Sequence, residues 1–76
     1  MNLRDQVGVN IQRLRREQGL SQEALAHAAD ISRGYMGKIE NGKYAASLDV
    51  IEKIAKALDL EPCELLTRQQ SVEVEK

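Results

Sequence analysis

Cysteine and histidine are almost missing from this chain: Cys63 and His27 are the single instances among 76 residues. One thiol cannot close an internal disulfide, and one thiol with one imidazole forms no zinc-spaced ligand set. Apolar packing, alone or shared with a second copy, must therefore hold the fold. Long apolar runs are missing too. Nothing approaches the roughly 20 residues that cross a bilayer, and "MNLRDQVGVN" has neither the basic start nor the apolar centre of a signal peptide. A protein of the reducing cytoplasm, without a membrane partner, is expected. There is no phosphate-cradling glycine loop, and no second histidine that could work with Ser21, Ser32 or Cys63 as a nucleophile. No enzymatic activity, metal, cofactor or small-molecule ligand is expected.

The chain also lacks an excess of charge, with a formal net of −1. Its distribution is uneven. Residues 1–43 carry seven basic side chains against five acidic, and residues 44–76 carry four against seven. A slightly basic first part and an acidic second part suit a protein with one side turned to a polyanion.

Strand-like alternation is absent until the last residues, "SVEVEK", and every earlier pattern is helical. The class is all-α, as one five-helix domain over 1–68 with an acidic tail at 69–76, for which strand pairing with another chain is the one structured option. A first helix runs from about Leu3 to Gln18, with Val7, Ile11 and Leu14 inward, Asn2 as cap and Gly19 as its stop. Ser21 caps a short helix from Gln22 to about Ala29, burying Leu25, Ala26 and Ala29. After a turn at Asp30 and an inward Ile31, Ser32 caps a third helix from Arg33 to about Asn41, with Met36 and Ile39 inward. Ser47 caps a fourth, which buries Leu48, Ile51, Ile54, Ala55 and Leu58. Pro62 opens a fifth, "PCELLTRQ", in which Cys63 is a small packing residue. His27 is a surface or partly buried helix residue.

The third helix is unexpected in one respect. "SRGYMGKIENGK" holds Gly34 and Gly37 within a helical apolar pattern, and each costs roughly 1 kcal/mol against alanine. Something has to come very close to this backbone if the run is helical.

Two short helices joined by a three- to four-residue turn are the ingredients of a helix-turn-helix, and Ala26 permits their close crossing. "LRREQGLSQEALAHAADISRGYMGKIENGKYAASLDVIEKIAKALDL" resembles the XRE family, which includes the lambda-type repressor and Cro proteins. "SQEALA", the apolar residue after the turn, "KIENGK" and "SLDVIEKIAKALDL" match together, and the resemblance covers about residues 7 to 66. It implies a compact lambda-repressor-like domain that binds double-stranded DNA, its third helix in the major groove.

By that resemblance Arg33, Gly34 and Lys38 face base edges. Gln22 meets phosphate from the start of the second helix, and Tyr35, Asn41 and Lys43 face flanking phosphates. Arg13 and Arg16 are further phosphate contacts, whereas Arg15 and Glu40 match a pair that forms an inward, structural salt bridge. A glycine at position 34, where the family usually places a polar reader, lets the helix approach closely and leaves part of the specificity to DNA shape. Aspartate at position 30 stands where the turn usually holds glycine and tolerates the left-handed conformation.

A single such domain reads few base pairs, so a homodimer on a two-fold symmetric operator is expected, with Leu65, Leu66 and Val72 in its interface. Control of neighbouring genes, as by phage repressors or restriction-modification controller proteins, is what the resemblance implies. The alternative is a protein-interaction module, such as an antitoxin or transcriptional cofactor, built on the same bundle.

Overall fold

Four helix starts are fixed by the residues immediately before them. In the computed structural model, which describes residues 2–68, α1 (Leu3–Glu17), α2 (Gln22–Ala28), α3 (Arg33–Glu40) and α4 (Leu48–Ala57) follow Asn2, Ser21, Ser32 and Ser47. Each cap side chain accepts from the backbone N–H three residues on, at 2.9 Å for Asp5 and Ala24, 3.0 Å for Tyr35 and 3.2 Å for Val50. These are donors that a helix start cannot satisfy internally.

The four helix ends also share one device. Gly19, Asp30, Gly42 and Asp59 have positive φ of 73°, 59°, 74° and 60°. The next residue then donates back to the carbonyl five earlier: Leu20 to Arg15, Ile31 to Ala26, Lys43 to Lys38 and Leu60 to Ala55, at 2.8–3.0 Å. Leu20, Ile31 and Leu60 pack against the core from that position. Lys43 occupies the same place after α3 and is exposed.

The fifth helix is shorter than its sequence suggests: α5 is one turn, Cys63–Leu66, with Pro62 at its cap position. Thr67 ends it. Its backbone is extended and its hydroxyl donates to the Cys63 carbonyl at 2.8 Å, in place of the backbone bond that would continue the helix.

Ile11, Leu25, Met36, Ile39, Ile54, Leu58 and Leu65 form the fully buried centre. Two residues expected inside lie outside. Leu48 is 78% exposed, because it stands at the first position of α4, one turn ahead of Ile51, where the buried stripe begins. Cys63 is exposed at the start of α5 rather than packed. α1 and the end of α3 approach closely at Gly8, where a β-carbon would stand 2.6 Å from the carbonyl oxygens of both Ile39 and Glu40.

Amide side chains of α1 and the turn after it tie the bundle together. Gln12 donates to the Glu40 carbonyl at the end of α3 (3.1 Å), and Gln18 to the Leu58 carbonyl at the end of α4 (2.7 Å). Buried Asn10 donates to the carbonyls of Leu65 and Thr67 (both 2.8 Å) and accepts from Gln6 (3.1 Å). Helix C-termini leave carbonyls without internal partners, and these amides satisfy them.

Candidate nucleic-acid interface

The turn between α2 and α3 sets which face of α3 is free. Ala26 and Ala29 are buried against the core, Asp30 reverses the chain, and Ser32 restarts the helix. Met36, Ile39 and Glu40 turn inward, leaving Arg33, Gly34 and Lys38 exposed on the other side.

Behind α3 lies a buried charge cluster. Arg15 of α1 grips Glu40 in a two-pronged contact, Nε to Oε2 at 2.9 Å and Nη2 to Oε1 at 3.0 Å, and the side chains are 10% and 0% exposed. Its remaining nitrogen, Nη1, donates to the Leu20 carbonyl at 2.9 Å. Gln22, the first residue of α2, completes the set by donating its amide to Glu40 Oε1 at 3.1 Å. A carboxylate accepts only, so the amide nitrogen faces inward. α1, α2 and α3 thus meet at one carboxylate, and the geometry of the exposed face is fixed from within.

The two glycines of α3 differ. A β-carbon at Gly34 would meet nothing within 4 Å, whereas one at Gly37 would lie 3.5 Å from the Gln22 amide oxygen, an ordinary contact. Neither glycine is required by packing inside the molecule. Gly42, just past α3, is favoured by its place: it has left-handed φ, and a β-carbon there would push the Asp5 carboxylate aside.

Around the free face, Asn41 and Lys43 are exposed, while Tyr35 is half-buried and packs against the core. Tyr44, which the sequence did not single out, joins them. Its ring lies 6.1 Å from that of Tyr35, and the Lys38 ammonium sits 5.0 Å from its centroid. Arg16 is exposed on α1, and Arg13 pairs there with Glu17 at 3.2 Å.

The expected dimer contacts separate. Leu65 is fully buried in this chain's own core and cannot meet a second copy, because Asn10 draws the α5 backbone onto α1. Val72 and the tail lie outside the described residues. Leu66 is 37% exposed and lines an apolar groove with Leu3, Tyr44 and Leu48. Among the described residues, no cluster of three or more His, Cys, Asp or Glu is placed to hold a metal, and no helix is long and apolar enough to cross a membrane.

Residues 11–65 match the helix-turn-helix family model HTH_3. The control protein C.BamHI of Bacillus amyloliquefaciens is 42% identical over 66 residues, covering 86% of this chain and 82% of that protein. The immunity repressor of Bacillus phage phi105 is 40% identical over 55 residues, 72% of this chain and 38% of the repressor. Among solved structures, the restriction-modification controller protein C.AhdI of Aeromonas hydrophila superposes with a TM-score of 0.79 at 44% identity, over 80% of this chain and 92% of that one.

Proposed function

Because the chain belongs to the HTH_3 helix-turn-helix family of transcription regulators, which are not enzymes, we propose that it binds a two-fold symmetric operator as a homodimer, with α3 in the major groove. The observation that carries this reading is the exposed face of α3, held from behind by the Arg15–Glu40–Gln22 cluster. Arg33 and Lys38 read base edges, where a good bidentate pair discriminates by about 1–3 kcal/mol. Gly34 admits the groove close to the helix. Tyr35, Asn41 and Lys43 bind flanking phosphates, joined by Arg13 and Arg16 from α1. Gln22 uses its second amide hydrogen for phosphate, since its first is taken by Glu40.

A second copy occupies the groove of Leu3, Tyr44, Leu48 and Leu66. Leu48 at 78% and Leu3 at 51% exposure are large apolar side chains left open by the described residues of one copy, and reading a useful number of base pairs requires two copies. Cytoplasmic residence goes with this function. Relatives described as a control protein and an immunity repressor support a regulatory role, which this chain exerts on neighbouring genes through coupled dimerisation and DNA binding.

The test is selection of bound sequences from a random duplex library at near-physiological salt, with the mass in solution recorded alongside. An inverted repeat bound by a dimer is expected, its half-sites about one helical turn apart. Arg33→Ala should relax preference at one or two positions, whereas Gln22→Ala should weaken all sequences about equally; the reverse pattern would place the reading helix elsewhere. Binding indifferent to sequence would sink the regulator and favour a protein-interaction module.

A further inference from the structure

Tyr44 belongs to neither the helix-turn-helix nor the core, yet the chain is folded so that it meets Lys38. Gly42 reverses direction after α3, and the N–H groups of Lys43 and Tyr44 both donate to the Lys38 carbonyl, at 2.9 and 3.3 Å. This brings the Tyr44 ring beside the Lys38 side chain. The ammonium lies 5.0 Å from the ring centroid and 3.5 Å from the hydroxyl. The hydroxyl oxygen is thus nearer than the ring centre: the ammonium stands at the hydroxyl end of the ring and not over its face, and a long hydrogen bond to the hydroxyl supplies the attraction. Tyr35, one turn before Lys38, meets the same ring in a tilted pair at 6.1 Å and 52°.

We propose that Tyr44 is the positioning residue for Lys38: the hydroxyl end of its ring holds the ammonium beside α3, and the base preference exerted by Lys38 depends on it. This rests on the DNA-reading function above. A free lysine has a flexible four-carbon stem and loses much rotamer freedom when it binds. Held at the tyrosine hydroxyl before binding, it loses less, and it reaches fewer wrong positions. Tyr44 also lines the apolar groove, so its ring bridges the DNA face and the surface assigned to a second copy.

The experiment compares selected-sequence profiles of the wild type, Lys38→Ala, Tyr44→Phe and Tyr44→Leu, with the solution mass of each. Leucine keeps an apolar contact in the groove and removes the ring; phenylalanine keeps the ring and removes the hydroxyl. Tyr44→Phe, which lacks the hydroxyl that meets the ammonium, should lose preference in the operator columns that Lys38→Ala flattens. Tyr44→Leu should likewise remain a dimer yet lose about two- to fivefold of the preference, the scale of one weak hydrogen bond, in the same columns. Combined with Lys38→Ala, it should add no further loss there. A Tyr44→Leu profile equal to wild type overturns the proposal, as does an equal loss in every column, which an interface or folding role would give. Lys38→Ala that flattens no column overturns it too. A wild type that enriches no sequence defeats the DNA-reading function itself, and that failure is visible before any variant is made.

Discussion

At position 34 the molecule makes no use of glycine's missing side chain, since a β-carbon there would point into open space. The residue costs about 1 kcal/mol of helix stability and receives nothing from intramolecular packing in return, so its use has to be sought outside the chain. Gly34→Ala should stabilise the fold by up to about 1 kcal/mol in urea titrations and weaken operator binding in parallel titrations against DNA. Unchanged affinity would remove the close-approach role. The Arg15–Glu40 pair behaves in the opposite way, as internal structure with no exposed function. Arg15→Ala strands a fully buried carboxylate and should lower unfolding stability by about 3–5 kcal/mol, measured by the same titration.

Among elements, α1 organises the others. Its first half meets α3 at Gly8, and its amides reach the C-terminal ends of α3 and α5, with Gln18 just beyond it reaching that of α4. The one-turn α5 is too short to be stable alone, and Asn10 is what docks it. Asn10→Ala should cost about 1–3 kcal/mol by leaving the Leu65 and Thr67 carbonyls without this donor. Hydrogen exchange should quicken in α5 while α2 and α3 stay protected. Exchange that quickens equally everywhere would show that α5 is not a separable unit.

For the whole molecule, a net charge of −1 argues against a general affinity for polyanions. Under the proposed function, DNA binding comes from the local basic face and from two copies acting together. Leu48→Asp, at a side chain that contributes nothing to one copy's core, should leave monomer stability nearly unchanged. It should weaken the dimer at least about tenfold in sedimentation experiments, because burying a leucine contributes about 1.5–3 kcal/mol and a charge reverses that. A dimer of undiminished strength would move the interface away from this groove.

Caps and stops were legible in the sequence because they are local. Ser21, Ser32 and Ser47 each act on a backbone N–H three residues away, and Gly19 and Asp30 need only their own φ. The α2–turn–α3 unit and the exposure of Arg33, Gly34 and Lys38 follow from those signals plus helical periodicity. Other features depend on residues far apart in the chain. Asn10 meets Leu65 across 55 positions, Gly8 is required only because α3 ends against it, and Tyr44 reaches Lys38 only after Gly42 turns the chain back. Leu48 and Leu65 carry the same side chain, and neither composition nor period separates them. One precedes the packed part of its helix and faces outward; the other is drawn onto α1 and buried. Local hydrogen bonding and apolar spacing are written in neighbouring residues, whereas burial is decided by which distant surfaces meet.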